Sequence, residues 1–287
     1  MSLSKFVDTN EMKELFKELT NKVSLPDDVK NATIKVESQL SQGFASGLGT
    51  AFDYMLRFKL ARYINKKGQD VSDDGWIASL VVDKYLPTHY PEVAEKWKKI
   101  INRAWSLYMD YAEGKDDANT SDEKVAICVQ YLAALDNLYR IGSFRPDFQH
   151  LAKVTKELLA LGNTVDLSLF DNEGVFHMNP HYARYDLVGH TDADIVCGNM
   201  LVELKSVSKI QSPTAILRNL LGHVALQRLG GLKMADDSIF KEDFKTLAIF
   251  YCRFNVMAKW NVSDIISSEN LEKYISGFEH NAKNYKQ

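Results

Sequence analysis

Residues Gly189–Lys205 read GHTDADIVCGNMLVELK, and the way this stretch pairs with itself organises what lies around it. Gly198-Asn199 separates two apolar runs, with glycine at the first turn position as a two-residue type II′ hairpin prefers. That turn sets a register in which Cys197 faces Met200, Ile195 faces Val202, Asp194 faces Glu203 and Asp192 faces Lys205. Side chains alternate along a strand, so the four ionisable residues share one face of the hairpin. Directly opposed carboxylates repel, and a divalent cation between Asp194 and Glu203 turns that penalty into a binding site. Two carboxylates and water suit magnesium or manganese, ions that polarise phosphoryl oxygens and acidify bound water. Lys205 would hold or deprotonate the attacking water, or stabilise charge on the phosphorane. The plainer reading is a solvated strand face with paired charges. Against it, Val196, Leu201, Val202 and Leu204 embed the four residues in a core-like hairpin.

Outward from the hairpin, Tyr182–Val188, Asp192–Cys197, Met200–Val207 and Thr246–Phe254 read as strands. Between the last two, a helix opens at Ser212 and Pro213 and buries Ile216, Leu217, Leu220, Leu221 and Val224. It stops at Gly230-Gly231. Upstream, helical spacing covers Met12–Lys22, Leu48–Lys66, Pro91–Tyr111, Ser121–Tyr139 and about Asp147–Leu161. Gly114–Asp122 reads as a loop, and a short strand fits near Thr33–Val36. The expected fold is α/β, a mixed central sheet flanked by helices with a largely helical N-terminal region. Residues 1–162 would wall a cleft and 163–287 would form the core, with helix 47–66 packed on it.

The 287 residues are 45% hydrophobic and 25% charged, which suffices for a buried core. A net charge of -3 excludes the basic surplus of a non-specific nucleic-acid coat. It bears less on an enzyme whose metal supplies positive charge at the phosphate. Cys128, Cys197 and Cys252 form no CxxC pair, which argues against a zinc ribbon and points to a reduced, cytoplasmic setting. Met1–Glu11 has no apolar secretory region, and no run is long enough to span a bilayer, so no membrane partner is expected.

Asp-Ala-Asp-Ile-Val, a tight turn and Leu-Val-Glu-Leu-Lys-Ser resemble the signature of the PD-(D/E)XK nuclease superfamily, particularly its RecB-like branch. Ser212–Leu229 is similar to that family's helix after the Glu-x-Lys strand. Thr246–Phe254 and Val256–Ile266 look like its closing strand pair, and Gly47–Lys66 resembles its early helix. The specific part spans roughly residues 183 to 266. The resemblance implies a restriction-endonuclease-like core and a magnesium- or manganese-dependent deoxyribonuclease. Asp194 and Glu203 would hold the metal, Lys205 would assist, and DNA would be the partner. Any helicase would be a separate protein subunit, since the chain carries no helicase motif.

Two departures stand out. Where RecB-like members carry Gln-x-x-x-Tyr, this helix has Asn219 and His223, which would contact substrate together with Arg253. The family's early-helix histidine is missing. Asp53, nearby, reads equally as a third acidic ligand or a solvent-facing carboxylate, and Asp192 is another candidate ligand. His177 and His181 read as surface loop residues, and Trp97, Trp105 and Tyr108 as core. The competing functions are a non-catalytic nucleic-acid-binding or assembly subunit that keeps the fold, and a metal-dependent phosphoesterase acting on RNA or nucleotides.

Overall fold

The computed structural model describes residues 2–38, 45–73, 75–115, 120–142, 150–184, 186–189, 191–234 and 237–285. In chain order the helices are α1 (Leu3–Val7), α2 (Asn10–Leu19), α3 (Asp27–Lys30), α4 (Ala45–Lys66), α5 (Ile77–Leu80), α6 (Leu86–His89), α7 (Pro91–Ala112), α8 (Asp122–Ile141), α9 (Leu151–Thr164), α10 (Thr214–Gly230), α11 (Val262–Ile265) and α12 (Ser268–Tyr285). The strands are β1 (Val71–Asp73), β2 (Phe176–Met178), β3 (His181–Tyr182), β4 (Ile195–Cys197), β5 (Met200–Lys205), β6 (Leu232–Lys233), β7 (Ile239–Phe240), β8 (Thr246–Tyr251) and β9 (Val256–Asn261).

The protein is α/β. A mixed six-stranded sheet runs β1-β2-β4-β5-β8-β9, and a small antiparallel sheet runs β3-β6-β7. Parallel strands cannot be joined by a tight turn, and β5 and β8 run parallel with α10 in the connection between them. Alternation along the strands splits the core in two. Ile195, Cys197, Met200, Val202, Ala248 and Phe250 point into one cluster with residues of α4, α7, α8 and α9. Val196, Leu201, Leu247, Ile249 and Ala258 point into the other, with α10, α12 and the N-terminal residues Leu3, Phe6, Met12 and Val29. Trp97 and Tyr108 are buried as expected, and Trp105 stacks on Trp76 with ring centroids 3.9 Å apart.

The long helices fall close to their expected bounds. Ser121 accepts a hydrogen bond from Lys124 N at the start of α8, and Gly231, at φ 84°, closes α10. At the start of α10 the cap is Pro213 rather than Ser212, whose hydroxyl pairs with Thr214 instead. Of the expected start of α9, residues 147–149 lie outside the described residues, as do residues 116–119 of the expected loop.

Several short elements differ from expectation. Tyr182–Val188 forms no continuous strand: pairing stops at Tyr182, and the chain turns through a Leu187 N to Arg184 O hydrogen bond. Residues 33–36 form no strand, although Lys35 N and Val36 N both donate to Arg253 O. Val71–Asp73, inside the span expected to be helical, is a strand paired with β2. His177 lies on β2 and is 7% exposed, not a surface loop residue. Its strand is the centre of a three-strand pairing, flanked by β1 and β4.

Candidate functional site

The hairpin folds in the register set by its turn, with Cys197 paired to Met200, Val196 to Leu201 and Ile195 to Val202. Gly198 takes φ +51° while Asn199 keeps a negative φ, as a type II′ turn requires. A Cβ on Gly198 would come within 2.3 Å of Glu173 O, so the turn needs glycine on steric grounds as well. The ladder ends at Ile195. One residue earlier, the Asp194 carboxylate replaces the missing strand partner by accepting Leu204 N–H at 2.7 Å. Glu203 and Lys205 share the face of β5 that carries Leu201, and Lys205 Nζ donates to Glu203 Oε1.

At this end of β5 the sheet runs out into a pocket of about 330 Å³. Its walls bring Asp194, Glu203 and Lys205 together with Asp53 from α4, Arg140 from α8 and Cys252 beyond β8. The pocket is acidic at its base. Burial pushes the Asp194 carboxyl well above the usual carboxylate range, and the charges of Glu203 and Asp53 push it further. Burial alone would lower Lys205, but Glu203 and Asp194 outweigh it and hold the ammonium above the ordinary lysine value. Lys205 is therefore a cation here, not a neutral amine.

Asp53 and Asp192 separate. Asp53 is not a solvent-facing carboxylate: it lines the pocket, pairs with the buried Arg57, and keeps Oδ1 buried without a hydrogen-bond partner. Asp192 does not reach Lys205, because the chain leaves the ladder before it. It forms a lone bridge with His181 and accepts a hydrogen bond from that ring.

The three residues expected at substrate also divide. Asn219 and His223 sit one helical turn apart on α10, 3.4 Å from each other, and neither lines the pocket. His223 is 3% exposed and packs on Tyr182, and burial lowers its imidazole to about 4 against the pull of Glu203 and Asp192. It is a neutral, inward-facing ring. Arg253 is placed elsewhere: its guanidinium is buried, pairs with Glu157 at 2.5 Å and donates to Val36 O. Its donors hold the N-terminal segment and α9 to the sheet.

A layer behind the pocket has no counterpart among the residues singled out from sequence. Arg57 donates to both Asp53 and Asn179 Oδ1, and its guanidinium lies 4.8 Å from the Tyr54 ring centroid. Tyr54 OH donates to the buried Asp136 at 3.3 Å, and Arg140 Nε donates to the same carboxylate. The available signal was ionisable residues at i, i+4 inside apolar helices, Asp53 with Arg57 and Asp136 with Arg140.

The donor set fits a hard divalent cation. Asp53, Asp194 and Glu203 offer carboxylate oxygens, one of them buried and unsatisfied, and a cation would relieve the crowding that raises Asp194. Among the described residues, no group of three or more His, Cys, Asp or Glu side chains already stands in position to hold an ion. Nor is any helix among them long and apolar enough to cross a membrane. Comparison with known proteins finds no matching family model, no similar curated protein and no similar solved structure.

Proposed function

We propose that this protein is a metal-dependent nuclease that hydrolyses phosphodiester bonds of DNA on a restriction-endonuclease-like core. The observation that carries the reading is the convergence of Asp53 from α4, Asp194 from just before β4, and Glu203 and Lys205 from β5 on one pocket at the end of the sheet. A solvated strand face would leave these groups apart and hydrated. Here Asp194 is half-buried within the field of two other carboxylates, Glu203 and Asp53, an arrangement that is costly unless a cation shares it. Magnesium or manganese would be held by Asp194 and Glu203, with Asp53 as the third acid, and when bound would supply Lewis acidity at a phosphoryl oxygen. Lys205, kept protonated by Glu203 and Asp194, orients the attacking water and stabilises negative charge on the phosphorane. Arg57 holds Asp53 in place from behind.

Thermal denaturation and cleavage of single- and double-stranded DNA, with and without manganese or magnesium, test this together. Binding to the folded state alone stabilises by about 2.7 kcal/mol at a hundredfold excess over Kd, so the wild-type Tm should rise by several degrees. Glu203→Ala should fold, lose that rise and lose cleavage. Lys205→Ala should keep the metal-dependent rise while cleavage falls by about 10²–10³-fold, as for loss of one charge-stabilising group. A wild-type protein that neither shifts with metal nor cuts DNA would leave the non-catalytic subunit as the reading.

A further inference from the structure

We propose that Arg140 forms a phosphate subsite at the rim of the carboxylate pocket, binding a backbone phosphate of the nucleic-acid strand beside the one to be cleaved. This rests on the nuclease reading. Phosphate approaching Asp53, Asp194 and Glu203 meets repulsion, and a site that admits it needs fixed positive charge at the entrance. Among the described residues lining the pocket, two are cationic, Lys205 on β5 and Arg140 on α8. Lys205 is committed to Glu203 within the pocket. Arg140 differs in setting: its side chain is 53% exposed, while the carboxylate that anchors it, Asp136, is buried.

The anchoring gives the guanidinium a fixed position. Asp136 accepts from Arg140 Nε on one side and from Tyr54 OH on the other, and Tyr54 also packs on Arg57, the residue that holds Asp53. Tyr54, Asp136 and Arg57 therefore tie the rim cation to the pocket acid through one buried network. A guanidinium carries its charge on a planar fork that matches phosphate oxygens, and preorganisation reduces what binding must order. Asp53, an acid of the pocket wall, acts electrostatically on Arg140, which places the guanidinium charge near a carboxylate that a phosphate would have to pass. A merely structural Arg140 would serve only to neutralise Asp136.

The test uses the full chain and whichever labelled oligonucleotide, single-stranded or duplex, the wild type cleaves. Binding is read by fluorescence anisotropy with calcium in place of magnesium, across a salt series. Arg140→Ala should weaken binding about tenfold and make the log K against log salt slope shallower by roughly 0.7–0.9, the loss of one phosphate contact. Arg140→Lys should recover most of both, and under magnesium Arg140→Ala should raise KM more than it lowers kcat. Loss of the Asp136 partner destabilises the fold without changing the salt slope of the molecules still folded. For that reason the slope and the lysine rescue, rather than stability, decide the matter. If the wild type cleaves DNA while Arg140→Ala binds with the same affinity and slope, the subsite is overturned and the nuclease reading stands. If the wild type neither binds nor cleaves, the nuclease reading falls and the subsite falls with it.

Discussion

Burying His223 beside Glu203 and Asp192 sets desolvation against attraction, and desolvation wins, leaving the imidazole at about 4 rather than 6.5. Below pH 6.5 the unfolded chain takes up a proton that the folded one refuses, so this histidine's contribution is complete above 6.5. It is lost as the pH falls towards 4, by about 3 kcal/mol in all. His223→Asn should flatten that acid limb relative to wild type in urea denaturation followed from neutral to mildly acid pH. An unchanged limb would mean the ring is hydrated in solution. Arg253 poses a different case, a buried guanidinium paired with the equally buried Glu157. Arg253→Ala would strand Glu157 and cost about 3–5 kcal/mol, whereas replacing both by apolar residues of similar size should restore most of it. Neither change should alter KM for DNA, which separates Arg253 from Arg140.

The β4–β5 hairpin was legible because its turn, its alternation and its apolar flanks all agree, and the pairing follows them residue for residue as far as Ile195. Asp192 was not legible. Strand arithmetic assumes that pairing continues, and here His181 captures the aspartate after the chain has left the ladder. β1, β2, β6 and β7 span two or three residues each, too few to show a period, and their pairing is decided by distant partners. The helix α12 lay outside the expected elements although Leu271, Tyr274, Ile275, Phe278 and Ala282 carry clear helical spacing. Asp53 was half legible: its helix was, but its direction depended on Arg57 one turn on. At this scale Gly198 is the weak point. Gly198→Ala would put a side chain at positive φ and against Glu173 O, for a loss of at least about 2 kcal/mol in chemical denaturation. The same variant should reduce metal-dependent stabilisation, since the turn sets the register that brings the Asp194 carboxylate against β5 at Leu204.

Across the whole molecule, the two faces of the central sheet are covered differently. One is covered by α4, α7, α8 and α9, residues between 45 and 164, and the other by elements from both extremes of the described chain. Leu3, Phe6 and Val7 pack with α10, close enough that a Cβ on Gly222 would meet Leu3 at 2.9 Å, and Leu15 lies as near to Gly277 of α12. Removing residues 1–30 would expose the apolar partners of Leu3, Phe6, Val7, Met12, Phe16 and Val29. At about 1.5–3 kcal/mol for each buried side chain, this rivals the 5–15 kcal/mol by which a typical protein is stable. A chain beginning near residue 31 should therefore lose its cooperative thermal transition, whereas a cut confined to the last residues of α12 should lower Tm only modestly. The same arrangement has a consequence during synthesis. A ribosome releases Leu3–Val29 some two hundred residues before α10 and α12, an interval of roughly 10–50 s at ordinary elongation rates. Through that interval the first apolar segment has no partner, which makes the nascent chain a client for holding chaperones. The arrival of α10 and α12 covers that segment.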